Sequence, residues 1–112
     1  MGLFFSSRPV ITQSELTKMM NEIHYARDKG GERLFSDHQR NYLTEEYNTH
    51  LDSDAPGQPE GITYEEAAEV NEEVRNPNPI QKDKQRRYQL KQEFTPEQMD
   101  YLRQVEEKYL NR

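Results

Sequence analysis

Cysteine and tryptophan are both absent from the 112 residues. Without cysteine there is no disulfide, no thiolate zinc site and no thiol nucleophile, a composition that suits a reducing, cytoplasmic setting. Large aliphatic and Phe side chains are scarce. Leu, Ile, Val and Phe supply 20 of 112 residues, against a net charge of −6 and a mean hydropathy of −1.26. With that net charge, the share falls just inside the composition range where chains tend to be disordered. Seven Tyr and four Met make up part of the deficit, because both bury large areas. The sequence therefore predicts a thin core, with stability drawn from helices packed side by side and in part from a partner surface. No run is long enough to span a membrane, and Met1 to Phe5 is too short for a signal-peptide core.

Charge is unevenly distributed. Ten acidic residues and no Lys or Arg lie between Glu45 and Glu73, whereas Arg75 to Lys91 carries six basic residues and one acid. The two stretches are expected to attract each other across the fold or to be solvated. An acidic surface repels phosphate, so nucleic acid is disfavoured as a partner.

What the chain does have is a repeated helix start. A capping box places Ser or Thr at the N-cap and Glu or Gln three residues on, each side chain satisfying a backbone N–H left unpaired by the first turn. The pattern occurs at Thr12/Glu15, Ser36/Gln39, Thr63/Glu66 and Thr95/Gln98. Three boxes carry a hydrophobic staple as well, in Ile11/Leu16, Ile62/Ala67 and Phe94/Met99; Arg40 stands where Phe35 would find its partner. Apolar residues recur at helical spacing behind each box: Leu16, Met19, Met20 and Ile23; Leu43, Tyr47 and Leu51; Ala67, Val70 and Val74; Met99, Leu102, Val105 and Tyr109. The first helix should end near Lys29, ahead of Gly30-Gly31. The third should stop before Asn76-Pro77-Asn78-Pro79. Residues 80–93 mix strand-like alternation at Tyr88 and Leu90 with helix-favouring Lys, Gln and Arg, and the balance favours a short fifth helix.

The fold class expected is all-α: a small single-domain bundle of four principal helices over residues 1–112, with the short fifth. Residues 1–10 form an apolar N-terminal tail and residues 76–80 a Pro/Asn linker.

Few spots suggest chemistry. Asp52, Asp54 and Glu66 resemble the ends of an EF-hand loop, which gathers oxygen ligands between two helices. The span is 15 residues instead of the usual 12, Pro56 and Pro59 interrupt it, and Glu66 has a competing task in its capping box. Calcium at these residues is thus the alternative to a plain acidic loop. Glu46 and His50 share a helix face, with one His as a sparse basis for a metal. No nucleophile elbow and no phosphate-cradling loop occurs, so an enzyme is not expected and no cofactor other than calcium is implied.

Gly2-Leu3-Phe4 leading into Pro9-Val10-Ile11-Thr12 and Glu15, with Gly61-Ile62-Thr63 and Glu66 and the closing Thr95-Pro96-Glu97-Gln98 helix, resembles short uncharacterised helical proteins of candidate-phyla bacteria. The resemblance implies helices and carries no activity. The function expected is a non-catalytic protein–protein interaction module, an adaptor or accessory subunit. Leu3, Phe4, Phe5, Tyr101 and Tyr109 are its contact candidates, against an unidentified protein partner. The alternatives are an acidic nucleic-acid mimic that inhibits a nucleic-acid enzyme and a calcium-binding helical module.

Overall fold

All four capping boxes form. The computed structural model describes residues 10–52 and 61–111, with the side chain of Asp52 outside that set. Thr12, Thr63 and Thr95 each accept the N–H of the residue three on, and that residue's side chain accepts the cap's own N–H. Ser36 and Gln39 make the same exchange at 2.9 and 3.1 Å. These boxes open α1 (Gln13–Tyr25), α2 (Asp37–Asp52), α3 (Tyr64–Arg75) and α5 (Pro96–Leu110). A further helix, α4 (Pro79–Arg87), starts from Asn78, whose side chain accepts from the Gln81 N–H, with Pro79 in the first turn. Pro79 and Ile80 of the expected linker are therefore helical. The described residues are all-α, with isolated β-bridges and no longer strand. The sequence predicts four principal helices and a short fifth. Among the described residues there are five helices. No helix among the described residues is long and apolar enough to cross a membrane.

The predicted stripes of α1, α3 and α5 are buried. In α2, Leu43 and Tyr47 are fully buried and Leu51 half-buried. Aromatic rings thicken the core at one end. Phe35 lies 5.9 Å from Tyr101 and 6.4 Å from Phe94 between ring centroids, and Tyr42 lies 6.1 Å from both Tyr88 and Phe94.

α1 ends four residues before Lys29, at Tyr25. Asp28 is the reason. Its Oδ1 accepts from the N–H groups of Gly30 and Glu32, and the Leu34 N–H donates to the Ala26 carbonyl at 2.8 Å. A short carboxylate side chain that binds local N–H groups competes with helix continuation, so the glycine pair serves a tight turn.

α4 also ends in a specific way. The Gln89 N–H donates to the Arg86 carbonyl and the Leu90 N–H to the Gln85 carbonyl, the two bonds of a Schellman motif. The left-handed position belongs to Gln89, at φ 64°, where glycine is the usual occupant. This turn explains why the helix stops at Arg87 and does not continue across 80–93.

The starts of α1 and α3 are tied by backbone. Ile11 and Ile62 exchange both N–H to carbonyl bonds, at 2.8 and 2.9 Å, and both side chains are fully buried. Gly61 makes this possible: its φ is +136°, and a Cβ there would sit 2.6 Å from the Ile11 carbonyl oxygen. Gly61→Ala should therefore lower stability by about 1–3 kcal/mol through strain and forced separation of the pair. Gln89→Gly should raise it by about 0.5–1 kcal/mol by relieving the left-handed residue. Urea unfolding midpoints of the two variants check both signs, and a neutral Gly61→Ala would mean the Ile11–Ile62 pair is dispensable.

Candidate functional site

α2 presents a column of side chains four apart toward its neighbours: Tyr42, Glu46 and His50. Tyr42 and Glu46 are buried, Glu46 to 2% exposure. A carboxylate at that depth requires a partner, and α4 supplies it. Lys84 Nζ donates to Glu46 Oε1 at 2.8 Å and lies 3.5 Å from Glu45 Oε2. Burial works against the Lys84 ammonium, but its bonds and attraction to Glu46 and Glu45 outweigh that and hold its pKa up. Tyr88 donates to Glu45 Oε1 at 2.5 Å, and that bond is the main cause of the lowered Glu45 pKa. Tyr42 donates to Gln81 at 2.9 Å and accepts from Gln85 at 3.2 Å. The acidic middle and the basic stretch thus meet within one chain, through Lys84.

Past Glu46 the column reaches α3. Burial, followed by the nearby Glu46 charge, raises the Glu73 pKa. His50 faces three glutamates of α3. Its Nδ1 lies 3.9 Å from Glu66 Oε2, and its Nε2 lies 3.7 Å from Glu69 Oε1 and 3.9 Å from Glu73 Oε1. Glu69 and Glu73 are one turn apart, which puts both carboxylates on the same side of α3.

A second buried acid lies between α3 and α5. Glu106, at 3% exposure, accepts from the Tyr47 hydroxyl and from Asn71 Nδ2 at 2.7 Å. Burial pushes its carboxyl up to about 7, against the downward pull of those two bonds. Asn71 Oδ1 is buried without a hydrogen-bond partner. Above this group lies a small depression rimmed by Tyr64, Ala68, Arg103, Glu107 and Leu110.

Of the residues singled out from sequence, Glu66, Tyr101 and Tyr109 have described side chains. Leu3, Phe4, Phe5 and Asp54 lie outside the described residues, as does the Asp52 side chain. Glu66 Oε1 accepts the Thr63 N–H at 2.9 Å, so one of its oxygens is committed to the capping box. Tyr101 is half-buried against Phe35. Tyr109 is buried to 9% exposure and its hydroxyl donates to Glu22. Glu69, Glu73 and Glu106 escaped the sequence reading. The four-residue spacing of Glu69 and Glu73 is visible in the sequence, and Glu106 sits four residues from Leu102 and from Leu110, inside the apolar stripe.

Comparison with protein-family models, with curated proteins and with solved structures finds no match to this chain.

Glu106 makes stability depend on pH. Its folded pKa of about 7 exceeds the 4.5 of the free carboxyl, so its contribution is full below pH 4.5 and lost as pH rises through 7. The loss is about 3 kcal/mol at one pKa unit per 1.36 kcal/mol, and Glu73 adds in the same direction. Glu106→Gln should flatten that decline while keeping the acceptor for Tyr47. Unfolding in urea at about pH 5 and about pH 8 tests it: equal slopes in the two proteins would place the titration elsewhere.

Proposed function

We propose that this chain is a non-catalytic interaction module, an adaptor or accessory subunit, that docks a protein partner on the surface shared by α3 and α5. The observation that supports it most is Tyr64. Its ring is 58% exposed, at the start of α3, on the rim of the depression that Ala68, Arg103 and Leu110 also border. An exposed tyrosine beside an apolar hollow with mixed charge at its edge has the makeup of an interface anchor. The rest of α3 fits a docking helix: Ala67, Val70 and Val74 face the core, while Glu65, Glu69 and Glu72 are exposed. Leu3, Phe4 and Phe5, the apolar contact candidates of the sequence, lie outside the described residues. Tyr109 is better read as core, since its ring is buried and its hydroxyl is bound, and Tyr101 offers an edge only.

The buried polar groups support the same reading. Lys84 ends on Glu46, and Tyr47 on Glu106, so these side chains hold helices together. The nucleic-acid mimic draws less support, because Glu46 is buried and Lys84 lies against Glu45 and Glu46. Calcium through Asp52, Asp54 and Glu66 would have to share Glu66 with its capping box.

The test compares the wild-type chain with a Tyr64→Ala, Ala68→Arg variant in capture from native extract, at low and high salt. A stoichiometric protein held by the wild type should bind the variant about tenfold or more weakly, the loss expected when an aromatic anchor is removed. Circular dichroism should be unchanged. Retention of the same partner by both proteins would remove α3 and α5 from the interface, and a nucleic-acid enzyme released at high salt would favour the mimic instead.

A further inference from the structure

His50 lies on α2 and Glu69 and Glu73 lie 19 and 23 residues further on, on α3, yet the donor atoms of the three lie within 4.8 Å of one another. His50 Nε2 stands 3.7 Å from one carboxylate oxygen and 3.9 Å from the other. Those separations exceed a charge-assisted hydrogen bond, which closes to about 2.8 Å. They approach the spacing of two ligands on one ion: bonds of about 2.0–2.2 Å in tetrahedral geometry set ligands roughly 3.4 Å apart. The two histidine–carboxylate distances exceed this by a few tenths of an ångström, the two carboxylate oxygens lie within 4.8 Å of each other, and Glu69, with its side chain 62% exposed, has the freedom to move inward.

The surroundings are those of a ligand set. The second ring nitrogen of His50 points toward Glu66, 3.9 Å away, whose other oxygen is fixed by the Thr63 N–H. At that distance Glu66 is too far for a hydrogen bond and adds negative charge beside the imidazole. Lys84 holds Glu46, the like charge nearest Glu73. Calcium and magnesium prefer all-oxygen cages, whereas imidazole with carboxylates suits zinc and its neighbours.

We propose that His50 Nε2, Glu69 and Glu73 bind a zinc-class divalent metal ion, joining the last turn of α2 to α3 with one position left to water. The site is separate from the proposed docking surface at Tyr64, and either can fail without the other.

The experiment is titration of the full chain, free of any histidine tag, with Zn²⁺ in a non-chelating buffer. Binding is read by calorimetry and by the ring nitrogen NMR signals of the three histidines, with Ca²⁺ in parallel. One equivalent of Zn²⁺ should bind, move the His50 ring signals and raise the melting temperature, while Ca²⁺ does none of these. His50→Ala and Glu69→Gln should each weaken Zn²⁺ binding by about tenfold or more, and a His24→Ala, His38→Ala double variant should bind as wild type. Glu69 is exposed, so its variant decides the matter even if His50→Ala unfolds. No saturable Zn²⁺ binding, affinity unchanged in Glu69→Gln, or loss of binding in the His24/His38 variant would overturn the assignment.

Discussion

Helix starts hold this fold together, and they are held in pairs. Ile11 and Ile62 exchange backbone hydrogen bonds immediately ahead of the caps of α1 and α3. The caps of α2 and α5 are joined differently. Gln39 and Gln98, the third residues of their boxes, bond each other at 3.1 Å, and Gln98 also donates to the Leu34 carbonyl at 2.6 Å. In a chain with few aliphatic residues these contacts do two jobs: they satisfy N–H groups that the helices leave open, and they fix four helix ends relative to one another. Buried apolar stripes then have a defined direction in which to pack.

The thin core is completed by tyrosine, and tyrosine brings a hydroxyl that must be satisfied. Tyr42 and Tyr47 are fully buried, and each reaches a polar side chain of another helix, Gln81 of α4 and Glu106 of α5. Asn71 adds α3 to the second of these links. The buried Glu106 thus serves a tyrosine that stands in for scarce Leu, Ile, Val and Phe. The same economy sets up the α2–α3 cleft, where Glu46, already committed to Lys84, crowds Glu73 and leaves His50 facing carboxylates on several sides.

What could be read from the sequence was local. A capping box depends on four consecutive residues and a stripe on one face of one helix, so the four helix starts and the stripes of α1, α3 and α5 were visible before any tertiary contact. The end of α1 was misread because Gly30-Gly31 is the usual stop signal, and Asp28 captured the N–H groups first. The candidate sites were mostly hidden. Attraction between the acidic and basic stretches was foreseeable, but that Lys84 alone would reach both Glu45 and Glu46 depends on how α4 lies on α2. Glu46 and His50 could be placed on one face, whereas their meeting with Glu69 and Glu73 needs the α2–α3 packing. Tyr101 and Tyr109 looked like contact surface because aromatics are common at interfaces; in the fold they compensate for missing aliphatics.

α4 has a different standing from the other helices. Its one buried residue is Gln81, and Ile80 points outward at 74% exposure. What fastens it to α2 is polar: Gln81 and Gln85 on Tyr42, Lys84 on Glu46, with Tyr88 on Glu45 just beyond its end. With no fully buried apolar side chain of its own, it gains little from the hydrophobic effect, and the water it would meet on leaving can replace most of its bonds. Among the described helices it is therefore the one least anchored by apolar burial, the condition under which a segment opens below the free energy of global unfolding. Each such excursion wets the Glu46 carboxylate and exposes the Tyr42 hydroxyl, so the interior of α2 is sampled by solvent while the paired helix starts stay closed.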